Sequence, residues 1–161
     1  MKIVVVGKEN TGKTSIIKRM TKKWKFSDKA SSIIFGKGRR EPTDGIEMKR
    51  WNPPTDKSTT IHLWDFAGQE IFYTTHQFFL NDAALTLLVF DTTKNLEIEN
   101  KLFFWMNSIS STSPNSRVIL IGTFIDKIDK KSKEQTLTEI SNKIGEMMKH
   151  LPHSIRFVFI S

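Results

Sequence analysis

Residues Gly7, Lys8, Glu9, Asn10, Thr11, Gly12, Lys13 and Thr14 fit the pattern GxxxxGK[ST] in full. They stand between an apolar run, Lys2 to Val6, and an amphipathic stretch that opens at Lys13. No other feature constrains the chain as strongly. A strand that breaks at glycine and restarts as a helix turns successive backbone N–H groups, and the positive end of that helix, toward one anion. Lys13 adds a full positive charge that reaches β- and γ-phosphates, and the Thr14 hydroxyl can ligate Mg²⁺. The phosphate-side set is Glu9, Asn10, Thr11, Gly12, Lys13, Thr14 and Ser15. It specifies a nucleoside triphosphate and is silent about the base.

The remaining pattern agrees with this opening. Short β-branched runs at Lys2 to Val6, Gly45 to Trp51, Thr59 to Asp65, Ala83 to Asp91, Arg117 to Thr123 and Ile155 to Ile160 predict six strands. Helices are predicted over Lys13 to about Lys25, weakly over Ile71 to Leu80, and over Ile98 to Ser110 and Ser132 to His150. In the first, Ile16, Ile17, Met20 and Trp24 form an apolar stripe. Alternation of this kind predicts an α/β fold with a mostly parallel sheet and right-handed crossovers. The second and third strands are separated only by the turn-rich Asn52 to Ser58, so they should form an antiparallel hairpin at one edge.

Composition narrows the function classes. The chain has 161 residues, enough for one domain, and it carries no cysteine, which excludes disulfides, thiolate metal sites, cysteine nucleophiles and prenyl or palmitoyl attachment. The longest mostly apolar stretch, Ala83 to Phe90, falls far short of the roughly 20 residues that span a bilayer. A cytoplasmic setting is expected. The net charge of +8 is unevenly placed: residues 1–57 hold 15 basic and 6 acidic side chains, and residues 58–161 hold 10 and 11. Much of the excess lies in Lys18, Arg19, Lys22, Lys23 and Lys25 and in Lys37, Arg39 and Arg40. This reads as a solvated helix face, or as a docking surface for a partner or a weak contact with acidic lipid through the first helix. No base-reading or stacking motif points to nucleic acid.

A second phosphate-side element follows the third strand: Asp65, Phe66, Ala67, Gly68, Gln69, Glu70. Asp65 is placed to hold a Mg²⁺-bound water opposite Thr14. Gly68 has no side chain to obstruct a γ-phosphate, and the Gln69 amide can both donate to and accept from an attacking water.

The loop, DxAGQ and the strand order resemble the Ras-like small GTPases. The longer stretch WDFAGQEIFYTTHQFFL, Trp64 to Leu80, is similar to the Roc domain of Roco proteins. The resemblance covers essentially the whole chain. It implies a Ras-like P-loop NTPase with a six-stranded mostly parallel sheet, one antiparallel edge strand and flanking helices. It also implies GTP hydrolysis with Mg²⁺, Gln69 and Lys13 being catalytic. Thr43, in Pro42 to Ile46, matches the threonine that coordinates Mg²⁺ and senses the γ-phosphate, so the metal set is Thr14, Thr43 and, through water, Asp65. The residues from about Phe26 to Glu41 should be mobile when no triphosphate holds them.

Two departures from the wider pattern stand out. Guanine is usually selected by NKxD, whose carboxylate accepts from guanine N1–H and N2–H₂. Here the residues are Thr123, Phe124, Ile125 and Asp126, so an aromatic ring replaces the lysine stem beside the base. Asp126 and Thr123 retain their hydrogen-bonding roles, as in related Roc domains, although Asp126 also reads as a helix cap. At the third loop position Glu9 replaces the glycine of Ras-type proteins. Slow intrinsic hydrolysis is expected, with activation by something other than an inserted arginine.

The resemblance further implies a domain, residues 1–161, trimmed from a longer chain and lacking a C-terminal helix. Its neighbours would be a COR domain, and often leucine-rich repeats and a kinase domain. Homodimerisation stays open. The competing readings are a nucleotide-binding or dimerisation module with negligible turnover, and a P-loop phosphotransferase using ATP.

Overall fold

Strand β1 (Lys2–Val6) holds the middle of the sheet because both its faces are apolar, and only a strand covered on both sides can afford that pattern. The computed structural model describes residues 1–21, 45–68, 80, 82–149 and 154–161. After β1 come α1 (Lys13–Thr21), β2 (Ile46–Trp51), β3 (Ile61–Phe66), β4 (Ala84–Asp91), α2 (Asn95–Thr112), β5 (Arg117–Thr123), α3 (Lys133–Met148) and β6 (Ser154–Phe159). The sheet order is β2-β3-β1-β4-β5-β6. All neighbouring strands are parallel except β2 and β3, whose antiparallel register runs from Ile46 opposite Phe66 to Trp51 opposite Ile61. The expected α/β architecture and edge hairpin are therefore present.

Alternation along β1 divides the core. Val4 and Val6 face a layer containing Phe66, Leu88 and Leu120, over which α2 packs Leu102, Trp105, Met106 and Ile109 and α3 packs Ile140 and Ile144. Ile3 and Val5 face the opposite layer, where Leu63, Leu87 and Val89 meet Ile17 of α1. Cover on this second side is thinner: Leu85, Ile119 and Ile160 are only partly buried, and Val158 is 46% exposed.

Element ends differ from the sequence reading for local reasons. Thr59 does not open β3, because its hydroxyl and amide donate to the Asp56 carboxylate and its carbonyl accepts from the Asn52 amide. Helix α2 begins at Asn95, three residues before Ile98. The Asp91 carboxylate takes the Thr93 amide and hydroxyl, and the Asp91 carbonyl takes the Lys94 amide, so the chain turns directly out of β4. The continuation of the first helix to Lys25 and the helix over 71–79 lie outside the described residues. Leu80 is buried in the α2 and α3 layer.

Topology places the site. β3 flanks β1 on one side and β4 on the other, which opens a crevice at the carboxyl ends of the strands where the order reverses. The loop after β1 lies in that crevice.

Replacing Ile109, which is fully buried in the larger core layer, by alanine should cost about 2–5 kcal/mol in urea unfolding. The neighbouring Phe103, 61% exposed on the same helix, should change by less than about 0.5 kcal/mol when it becomes alanine.

Candidate nucleotide site

The loop from Gly7 to Gly12 is shaped by backbone conformations that few residues tolerate. Gly7 has φ +136°, and a Cβ there would lie 2.1 Å from the Val89 carbonyl oxygen of β4, so only glycine fits. Asn10 and Gly12 also have positive φ, 61° and 94°. The loop closes on itself: the Thr11 hydroxyl donates to the Lys8 carbonyl at 2.8 Å, and the Ile16 amide donates to the Gly12 carbonyl at 3.0 Å to start α1.

Lys13 turns back over this loop. Its Nζ donates to the Lys8 carbonyl at 2.7 Å, and the residue is only 6% exposed. Burial pushes the amine down to about 8, against the opposing pull of the Asp65 and Glu9 carboxylates. Among the described residues this ammonium has one hydrogen-bond acceptor, which compensates its burial poorly, and an incoming anion would relieve it.

Thr14 joins the loop to the sheet. Its hydroxyl donates to Asp65 Oδ2 at 2.6 Å, across from β3. Asp65 is 1% exposed, and burial raises its pKa while the Thr14 hydrogen bond and the Lys13 charge hold it down. Its other oxygen, Oδ1, is buried with no hydrogen-bond partner among the described residues. A hydroxyl and an under-satisfied carboxylate form an all-oxygen donor set that suits a hard divalent cation. Mg²⁺ in particular takes one or two protein oxygens and completes its shell with phosphate and water. The residues fit that ion.

Gly68 meets the loop from the end of β3. Its carbonyl accepts from the Glu9 amide at 2.9 Å, and a Cβ on it would come within 2.5 Å of Lys13 Nζ. The Glu9 side chain is exposed.

On the base side, Thr123 ends β5 and ties the loop to two strands. Its hydroxyl lies 2.9 Å from the Thr11 carbonyl and 3.0 Å from the Phe90 carbonyl. The Thr123 carbonyl accepts from the Thr92 hydroxyl at 2.6 Å. Phe124 follows with φ +63°, and its carbonyl accepts from the Lys127 amide at 2.9 Å. Asp126 sits exposed within that turn.

The structure thus brings Gly12, Lys13, Thr14, Asp65 and Gly68 together, with Thr123 and Phe124 beside them. Ser15 lies in the first turn of α1, and Glu9 and Asn10 form the exposed rim of the loop. Gln69 and Thr43 lie outside the described residues. Sequence reasoning missed Lys8, whose carbonyl holds Lys13, because main-chain acceptors leave no mark on residue type. It also missed Thr92 and Lys127; only the position of Lys127 one residue past Asp126 could have signalled it. An open cleft lies behind the loop, lined by residues including Lys8, Leu88, Phe90, Leu102 and Trp105. Its apolar walls do not suit a phosphate.

A strand, glycine loop and helix around a buried lysine, with a Thr–Asp pair at the sheet edge, define a Ras-like P-loop nucleotide-binding domain. The family model described as "Ras of Complex, Roc, domain of DAPkinase" matches residues 2–129, and the chain belongs to the Roc family of Ras-like GTP-binding domains. Among its relatives in Dictyostelium discoideum, the probable serine/threonine-protein kinase roco5 is 32% identical over 162 residues, matching 80% of this chain and 6% of its own length. The probable serine/threonine-protein kinase pats1 is 31% identical over 160 residues, matching 89% of this chain and 5% of its own length. The chain is thus a small fraction of the length of these kinases. A solved structure of Methanosarcina barkeri Roco2 RocCORdC bound to GDP matches the whole chain at TM-score 0.60 and 28% identity, over 43% of that protein's chain.

The Lys13 amine gives a pH signature. Its folded value of about 8 lies below the ordinary 10.5, so between these values the unfolded chain holds a proton that the folded one has released. Stability from this group therefore rises with pH from about 8 to about 10.5. Urea unfolding of the ligand-free protein should show that rise relative to Lys13→Met, with a constant difference below pH 8.

Proposed function

We propose that this chain is a GTP-binding and GTP-hydrolysing switch. The observation that carries the reading is the buried, under-compensated Lys13 beside the Thr14–Asp65 hydrogen bond, at the mouth of a loop whose glycines leave room for phosphate oxygens. Amides of residues 9–15 and the Lys13 ammonium bind the phosphates and stabilise charge that grows on them as the γ-phosphoryl transfers. Gln69 orients the attacking water. The Asp126 carboxylate accepts from guanine N1–H and N2–H₂, whereas adenine presents an unprotonated N1 that the same carboxylate repels. Mg²⁺, bound with the nucleotide, would neutralise negative charge on the phosphates. Thr14 and Thr43 would hold it directly and Asp65 through water.

One observation favours a second reading, a nucleotide-binding module of negligible turnover. The Glu9 amide, a natural donor to a γ-phosphate, is taken by the Gly68 carbonyl. Opening that contact would be required for triphosphate to seat fully, which agrees with slow hydrolysis.

The wider setting follows from the relatives. A chain that matches a small part of Dictyostelium kinases and part of a RocCOR fragment is proposed to work beside a COR domain, with kinase or leucine-rich-repeat domains in the same protein, in the cytoplasm. No helix among the described residues is long and apolar enough to cross a membrane.

The test is nucleotide affinity and phosphate release by the purified chain with Mg²⁺. GTP should bind in strong preference to ATP, and Lys13→Ala should weaken GTP by roughly 100-fold, the value of a buried charge-assisted contact. Gln69→Leu should leave affinity near the starting value and slow phosphate release by about 10-fold or more. Equal affinity for ATP would overturn the reading, and GTP binding without phosphate release would favour the module.

A further inference from the structure

Phe124 is the residue at which this chain departs furthest from the lysine usual beside a guanine base, and three observations single it out. Its φ of +63° is a conformation that side chains bearing a Cβ rarely adopt, and such backbones collect at functional sites. The backbone holds it there from both sides: Thr123 is anchored through its hydroxyl to the Thr11 and Phe90 carbonyls, and the Phe124 carbonyl accepts from the Lys127 amide. The tip of the ring, Cζ, lies 3.8 Å from where a Gly12 Cβ would stand, so the ring borders the phosphate loop.

The third observation is Lys127. Its Nζ lies 4.0 Å from the centroid of the Phe124 ring, over its face. The adjacent Asp126 carboxylate would be an obvious partner, yet among the described residues Lys127 is seated on the ring and makes no ion pair with Asp126. A cation over one face draws π density toward itself and leaves the other face poorer in electrons. An electron-poor face stacks best on an electron-rich ring, and guanine is the most electron-rich of the nucleobases.

We propose that Lys127 and Phe124 form a cation-backed stacking platform for a guanine base, with Lys127 acting through the ring as a positioning residue for affinity and base preference. The proposal rests on the nucleotide-binding reading above and deepens it. Asp126 addresses the edge of the base from the same turn, and Phe124 addresses its face. With Lys127 over the ring, the Asp126 carboxylate is left without an ion pair to it and can accept from the base.

The experiment uses the 161-residue chain with Mg²⁺ and measures GDP and ADP affinities together with the melting temperature of the ligand-free protein. Lys127→Met keeps the stem and removes the charge. It should weaken GDP about 3- to 10-fold, because the ring it leaves is no longer polarised against the base, and lower the GDP to ADP preference. The ligand-free melting temperature should stay within about 2 °C, since an exposed contact contributes little to stability. Lys127→Arg should restore GDP affinity. Phe124→Leu should weaken GDP more, and adding Lys127→Met to it should have no further effect. Unchanged GDP affinity in Lys127→Met, a loss that Arg does not rescue, or a full further loss in the double variant would overturn the platform while leaving the nucleotide reading intact. A wild-type chain that binds no guanine nucleotide would overturn both.

Discussion

An ammonium group held almost out of water, with the Lys8 carbonyl as its hydrogen-bond acceptor among the described residues, is the interaction on which the rest of this structure turns. Lys13 reaches back across its own loop to the Lys8 carbonyl at 2.7 Å, and burial lowers its pKa to about 8. In isolation that arrangement is unfavourable, because one carbonyl replaces a full hydration shell. It persists because the loop is fixed from several directions. The Gly7 backbone lies against the Val89 carbonyl, the Glu9 amide is bonded to Gly68, and the Thr11 carbonyl is held by Thr123. The sheet thus keeps a positive charge in a place that suits an anion.

The order of the strands explains why these contacts converge. With β3 and β4 flanking β1 in parallel, the carboxyl ends of three successive sheet positions face the same crevice. β3 delivers Asp65 to Thr14 and Gly68 to Glu9, β4 delivers Val89 to Gly7, and β5 delivers Thr123 to Thr11. A register slip of one residue in β3 would turn Asp65 to the other face of the sheet and leave Thr14 without its acceptor. The apolar alternation that builds the core therefore also sets the site geometry.

What was legible in the sequence was whatever side-chain chemistry and glycine placement determine. Gly7, Gly12, Lys13 and Thr14 could be read because each type is required by a steric or electrostatic demand. Asp65 could be read because a carboxylate at the end of an apolar strand needs a reason to be there. The hairpin of β2 and β3 was legible from the turn residues between them. The partners that are main-chain atoms, the Lys8, Thr11 and Phe90 carbonyls, were not, since any residue supplies the same acceptor. Strand ends were also misplaced where a short side chain captured local amides, as Asp56 does with Thr59. Phe124 was visible as a departure from pattern, but its left-handed backbone and the lysine over its ring depend on how the turn closes through the Lys127 amide.

A lysine poised for an anion should take up a proton when the anion arrives. At pH 8 an amine with a pKa of about 8 is about half protonated, and a phosphate seated against it would raise that value and draw in a proton. Titration calorimetry of GDP and Mg²⁺ into the chain at pH 8, in two buffers of different ionisation enthalpy, measures that uptake. Net uptake should be about half a proton per nucleotide, absent in Lys13→Met. Binding of GDP with no proton uptake, or with uptake unchanged in Lys13→Met, would contradict it.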